Sequence, residues 1–125
     1  MHFKSINILF LLRQFLLMLM PALIVMFPNP VHADDYYWVG GTGNWSDINH
    51  WATTSGGSVL HIQAPTVADD VIFDGNSFPS GNLTVTINQK NAICRNMTWA
   101  NANNSPTLAG NDTTSLRIYG SLEFT

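Results

Sequence analysis

A single cysteine, Cys94, stands in the 125 residues, so no disulfide can form within the chain and a disulfide-stapled miniature fold is excluded. Charge is scarce too: Asp, Glu, Lys and Arg together make up 10% of the sequence, with five basic residues against eight acidic ones. Lys and Arg clusters that neutralise phosphates are therefore missing, and nucleic acid is excluded as a partner. No stretch repeats its apolar residues every three to four positions, so no amphipathic helix is expected. Absent as well are a phosphate loop (Gly40-Gly41-Thr42-Gly43 has neither the lysine nor the helix), a Ser-His-Asp pattern and a metal-binding histidine pair.

The one long apolar run lies at the start. Lys4 and Arg13 precede Phe15 to Phe27, thirteen residues without a charge. Pro28 and Pro30 then break the run, and Val31-His32-Ala33 offers compact residues before Asp34. This is the tripartite layout of a cleaved secretion signal over residues 1–33, read as a signal-peptide helix. A retained membrane anchor needs about 20 apolar residues, and Pro21 interrupts even this shorter run. Membrane contact is expected only through an uncleaved leader, and the mature product is expected to be secreted or held at the cell surface. Residues 34–125 then keep three cationic side chains, Lys90, Arg95 and Arg117, against all eight acids, a formal charge of −5.

Within residues 34–125, short β-type runs alternate with turn residues. Tyr36-Tyr37-Trp38-Val39 stops at a glycine cluster; Val59 to Ile62 is a lesser candidate strand. Val71-Ile72-Phe73 is bounded by aspartates, and Leu83-Thr84-Val85-Thr86-Ile87 alternates strictly. Ala92 to Trp99 reads as one strand, Asn101 to Pro106 as a polar loop, and Leu116 to Tyr119 as another alternating run. Gly120-Ser121 carries a hairpin signal before Leu122-Glu123-Phe124. The fold class is all-β. Brief triplets between Asn, Gly and Asp suit the N-terminal cap and first rungs of a parallel, right-handed β-helix, with a hairpin-joined β-sandwich as the alternative. The run after Gly120-Ser121 opens like a strand with no cap behind it. The module is therefore expected to be incomplete at that end, marginally stable alone, and prone to self-association through uncapped edges.

Tyr36 to Trp51, with its Gly-rich turn and Asn44-Trp45-Ser46-Asp47, followed by Pro65-Thr66-Val67-Ala68-Asp69-Asp70-Val71-Ile72-Phe73-Asp74, resembles the opening of large secreted bacterial surface proteins. These are adhesin-like or autotransporter-like β-helix proteins, very long ones from gliding Bacteroidota among them. The resemblance covers residues 36–74 and implies an exported, non-catalytic structural or adhesive module whose partners are extracellular glycans or proteins. It also leaves open the start of a β-helical polysaccharide lyase or glycoside hydrolase, or a carbohydrate-binding module.

Candidate sites follow from residue chemistry. Trp38, Trp45 and Trp51, six or seven apart around a loop, either plug the first coil or offer a glycan-stacking platform. Asp69, Asp70 and Asp74, with Asp47, are turn formers or, alternatively, oxygen ligands for calcium. Cys94 is expected to be a buried apolar side chain. No catalytic residue and no obligate cofactor is assigned.

Overall fold

The computed structural model describes residues 32–125, and the signal-peptide helix read over residues 1–33 lies almost wholly outside that range. Among the described residues no helix is long and apolar enough to cross a membrane. The described residues form ten short strands and one 3-10 turn, an all-β fold. The strands are β1 (Asp35–Trp38), β2 (Gly43–Asn44), β3 (Trp51–Ala52), β4 (Asp70–Asp74) and β5 (Thr84–Thr86). After them come β6 (Ala92–Cys94), β7 (Met97–Ala100), β8 (Thr107–Ala109), β9 (Leu116–Ile118) and β10 (Leu122–Phe124), while the 3-10 turn spans Ile48–His50.

Side-chain alternation decides which face each strand buries. In β4 Val71 and Phe73 point inward while Asp70, Ile72 and Asp74 stay half-buried, and in β5 Val85 is buried between two half-buried threonines. Successive strands do not pair with one another. They are dealt into three small sheets, ordered β10-β7-β4-β1-β3, β2-β5-β8 and β6-β9. From β4 onward the chain visits the first, second and third sheets in turn, then repeats. Every pairing is parallel except β1 with β3. Val71 faces Met97, 26 residues on, and Met97 faces Leu122, 25 on; Val85 faces Leu108, 23 on, and Ala92 faces Leu116, 24 on.

Three sequence expectations are corrected. Gly120-Ser121 is a corner and not a hairpin, because β9 pairs with β6 and β10 with β7; the hairpin-joined sandwich loses its basis with it. Ala92 to Trp99 divides into β6 and β7 at Arg95-Asn96, where both side chains bind Asp70. Val59 to Ile62 forms no strand beyond an isolated bridge between Ala52 and Leu60.

The glycine cluster turns the chain for two separate reasons. Gly41 has φ +82°, and a Cβ there would lie 2.9 Å from Leu83 Cδ1. Gly43 has an ordinary φ, but a Cβ would collide with the His50 imidazole. Asn82, Asn101 and Asn104 take the left-handed conformation at other corners, at φ 59°, 52° and 69°, which asparagine tolerates better than most residues.

Candidate functional site

Trp38, Trp45 and Trp51 are each 0% exposed. Trp51 meets Trp38 edge-on at 4.8 Å between ring centroids and Trp45 at 5.0 Å, arrangements that aromatic quadrupoles favour. The Trp38 indole N–H donates to the Gly41 carbonyl at 2.7 Å, and that of Trp51 to the Trp45 carbonyl at 2.8 Å. His50 lies flat on Trp38, with centroids 4.6 Å apart and planes within 6°. Its Nδ1 is 2.6 Å from the Val39 carbonyl oxygen; a carbonyl only accepts, so Nδ1 carries the proton. No indole face is left for a sugar, and the three tryptophans set out above as a stacking platform are core.

One detail separates them. Among the described residues, Trp45 Nε1 is the only buried side-chain polar atom without a hydrogen-bond partner. Trp45→Phe removes that unsatisfied donor, whereas Trp51→Phe breaks a bond and strands the Trp45 carbonyl. Urea titration of the two variants is expected to show Trp51→Phe losing about 1–2 kcal/mol more than Trp45→Phe.

The four aspartates are spent on the fold. Asp69, buried, accepts from the Thr66 N–H at 2.8 Å, the Thr66 hydroxyl at 2.6 Å and the Asp34 N–H at 3.2 Å. Asp70 takes a bidentate pair from Arg95, at 2.7 Å from Nε and 2.6 Å from Nη2, and a 2.9 Å bond from Asn96 Nδ2. The Arg95 hydrogen bonds hold the Asp70 carboxyl below the usual carboxylate range, with smaller help from Asn96, against burial. Asp74 accepts from the Asn76 N–H at 2.9 Å in an Asx turn. Asp47 caps the 3-10 turn through the Asn49 N–H at 3.0 Å, which lowers its carboxyl as well. Among the described residues no three His, Cys, Asp or Glu side chains converge as a metal site would require. Asp69, Asp70 and Asp74 thus do not assemble into the calcium ligand set considered from sequence; each holds a turn or a neighbouring strand.

Cys94 is fully buried, and desolvation pushes its thiol up to about 11. The two histidines of residues 34–125 serve elsewhere, His50 on Trp38 and His61 stacked on Tyr36 at 3.6 Å. A thiolate, the reactive form, is scarce at neutral pH. Ellman's reagent is expected to leave Cys94 unmodified in the native protein and to titrate one thiol per chain after unfolding in guanidinium.

A further apolar feature is at the other end of the fold. Trp99, Leu108, Leu116, Ile118, Leu122 and Phe124 line an apolar cavity of ≈ 320 Å³. Leu108 is 37% exposed, Leu122 50% and Phe124 72%. Strands β8, β9 and β10 are the last members of the three sheets, so their outer N–H and C=O groups surround this apolar floor. Strand β8 is the part that the sequence reading missed: its triplet Thr107-Leu108-Ala109, between Pro106 and Gly110, is too short to stand out from its polar surroundings. Comparison with known proteins returns no matching family model, no matching curated protein and no matching solved structure.

Proposed function

We propose that residues 34–125 are the capped beginning of a right-handed parallel β-helix, exported by the leader at 1–33, that acts as a non-catalytic structural or adhesive module at the cell surface. The observation that carries this reading is the repeated visit of the chain, from β4 onward, to three sheets in fixed order, with the parallel partners of β4 to β10 lying 23–26 residues apart. An inward column supports it: Trp38, Phe73, Trp99 and Phe124 follow one another at 6.0, 4.1 and 6.5 Å between ring centroids. Such like-on-like stacking is how solenoid coils bury a continuous core. Right-handedness follows from the strong preference of crossovers between parallel strands in one sheet. Trp45, Trp51 and the antiparallel β3 close the first coil, which spares it an exposed edge. The mature surface, rich in Asn, Thr and Ser and poor in charge, suits an extracellular scaffold more than a charged-substrate enzyme.

The test uses the full chain expressed in a secreting bacterial host. A mature N-terminus at Asp34, with the product outside the cytoplasm and labelled by antibody on intact cells, is the expected result. A full-length product kept in the cytoplasm would overturn it. Turnover of uronic-acid polymers would favour the lyase reading, and a glycan-dependent shift of tryptophan fluorescence the carbohydrate-binding one.

A further inference from the structure

We propose that Asp69 is a binding site for an α-ammonium group, the one that removal of the leader creates at Asp34. The inference rests on cleavage after Ala33, part of the reading above, and gives that cleavage an effect on the fold.

Asp69 is 3% exposed, and its carboxylate receives three donors, all neutral. Oδ2 accepts from the N–H and the hydroxyl of Thr66, in the turn that leads into β4. Oδ1 accepts the Asp34 N–H at 3.2 Å, the longest of the three bonds. Among the described residues Asp69 forms no ion pair: Arg95 spends its guanidinium on Asp70, and His32 lies against the Asp34 carboxylate. A buried carboxylate without a cation is costly, and the atom placed to supply one is the Asp34 nitrogen. Hydrolysis of the Ala33–Asp34 bond gives the hydroxyl of water to the Ala33 carbonyl carbon and a hydrogen to that nitrogen. The freed amine takes up a further proton at neutral pH, its ordinary pKa being about 8. An amide donor thereby becomes an ammonium at the same atom, already within reach of Oδ1, and the bond becomes charge-assisted. His32 departs with the leader. The Asp34 carbonyl accepts the Asp70 N–H at 2.9 Å, and Asp35 is in register with Asp70. The new ion pair therefore pins the start of β1 to the start of β4, and processing tightens the first coil.

The experiment uses the full chain, exported and processed, with Lys90→Arg throughout so that the α-amine is the one acylable amine in residues 34–125. Mass spectrometry reads the N-terminus of the product, and urea titration compares the free product with its α-acetylated form. Acetylation keeps an N–H on the nitrogen and removes the charge. It is expected to raise the unfolding equilibrium constant about tenfold or more, and by less than about twofold in Asp69→Asn, which has no anion at the site. The gap between free and acetylated forms also has a pH signature that needs no second variant. Capture by Asp69 raises the α-amine pKa in the folded chain. The gap is then full below the ordinary value and closes as the pH rises through the higher, folded one. The other titratable groups around the site, Asp34, Asp35, Tyr36, His61, Asp70 and Arg95, are the same in both forms and cancel. Equal stability of the two forms at neutral pH, a gap undiminished in a folded Asp69→Asn, or one constant into the alkaline range would overturn the capture and leave the leader reading standing. A product that begins at another residue would overturn both.

Discussion

Trp51→Ala is expected to lower the free energy of unfolding by about 3–5 kcal/mol, the range for emptying a large aromatic from a packed core. Trp51 is the hub of the aromatic cap. Tyr36, Trp38, Trp45 and Phe73 surround it at 6.0, 4.8, 5.0 and 6.2 Å between ring centroids. Its register partner in β1 is Trp38, so its loss also loosens the two-residue strand β3, which has little else to hold it. Its indole N–H bond to the Trp45 carbonyl goes too, leaving an acceptor buried without a partner. A domain of this size holds roughly 5–14 kcal/mol in all, so the variant consumes a large share of it. Ile62→Ala is the control. Ile62 is 93% exposed, and a surface change of this sort stays within about 0.5 kcal/mol. Urea titration followed by near-ultraviolet circular dichroism, which reads the packed indoles, measures both; equal midpoints for the two variants would remove the tryptophan cap from the account.

How far the sequence disclosed this depends on the range over which each signal acts. Leu83 to Ile87 alternates strictly, and the alternation alone gives the buried face of β5, with Val85 and Ile87 in the core and Leu83 packed against it. Val71-Ile72-Phe73, fenced by aspartates, became β4 with one residue added at each side. The tryptophans were legible as a plug because large aromatics around a glycine turn have little else to do. What stayed hidden was pairing at a distance. A turn signal such as Gly120-Ser121 reports that the chain bends and not where the next strand finds its partner. That partner is set by Asn96, whose side-chain Oδ1 accepts the Ser121 N–H at 2.8 Å from 25 residues away. The spacing of the parallel partners was also masked, since the paired positions share character and not identity: Val71, Met97 and Leu122 in one row, Phe73, Trp99 and Phe124 in the next. The aspartates were ambiguous for the same reason. Nothing local says that Asp70 answers to Arg95, at the corner between β6 and β7, and without that partner an acidic cluster reads as well for a cation as for a turn.

Asn96→Ala is the second variant expected to act strongly, with a loss of about 2–4 kcal/mol from one half-buried side chain. Asn96 ties three consecutive passes of the chain at one corner. Its Nδ2 donates to Asp70 Oδ1 at 2.9 Å, and its Oδ1 accepts from the Ser121 N–H at 2.8 Å and the Ser121 hydroxyl at 3.2 Å. One amide thereby satisfies a carboxylate on one side and a backbone donor on the other, which only a group with both functions can do. Asn96→Asp keeps the acceptor but turns the donor into a second anion beside Asp70, so at neutral pH it is expected to be at least as destabilising as alanine. Acid separates the cases. Asp70 has a folded pKa held below its unfolded one, first by Arg95. Its contribution is therefore complete above the ordinary carboxylate range and fades as the pH falls through the lower, folded value. The gap between wild type and Asn96→Ala should narrow over that acidic window, because the bond to Asp70 is then made to a neutral carboxyl. Asn96→Asp should recover relative to Asn96→Ala as its own carboxyl takes up a proton, which both ends the repulsion and restores a donor. Denaturant midpoints at neutral pH and again below the carboxylate range read both trends; a gap between wild type and Asn96→Ala that holds constant with pH would mean that the corner is held by packing and not by the Asp70–Asn96–Ser121 chain.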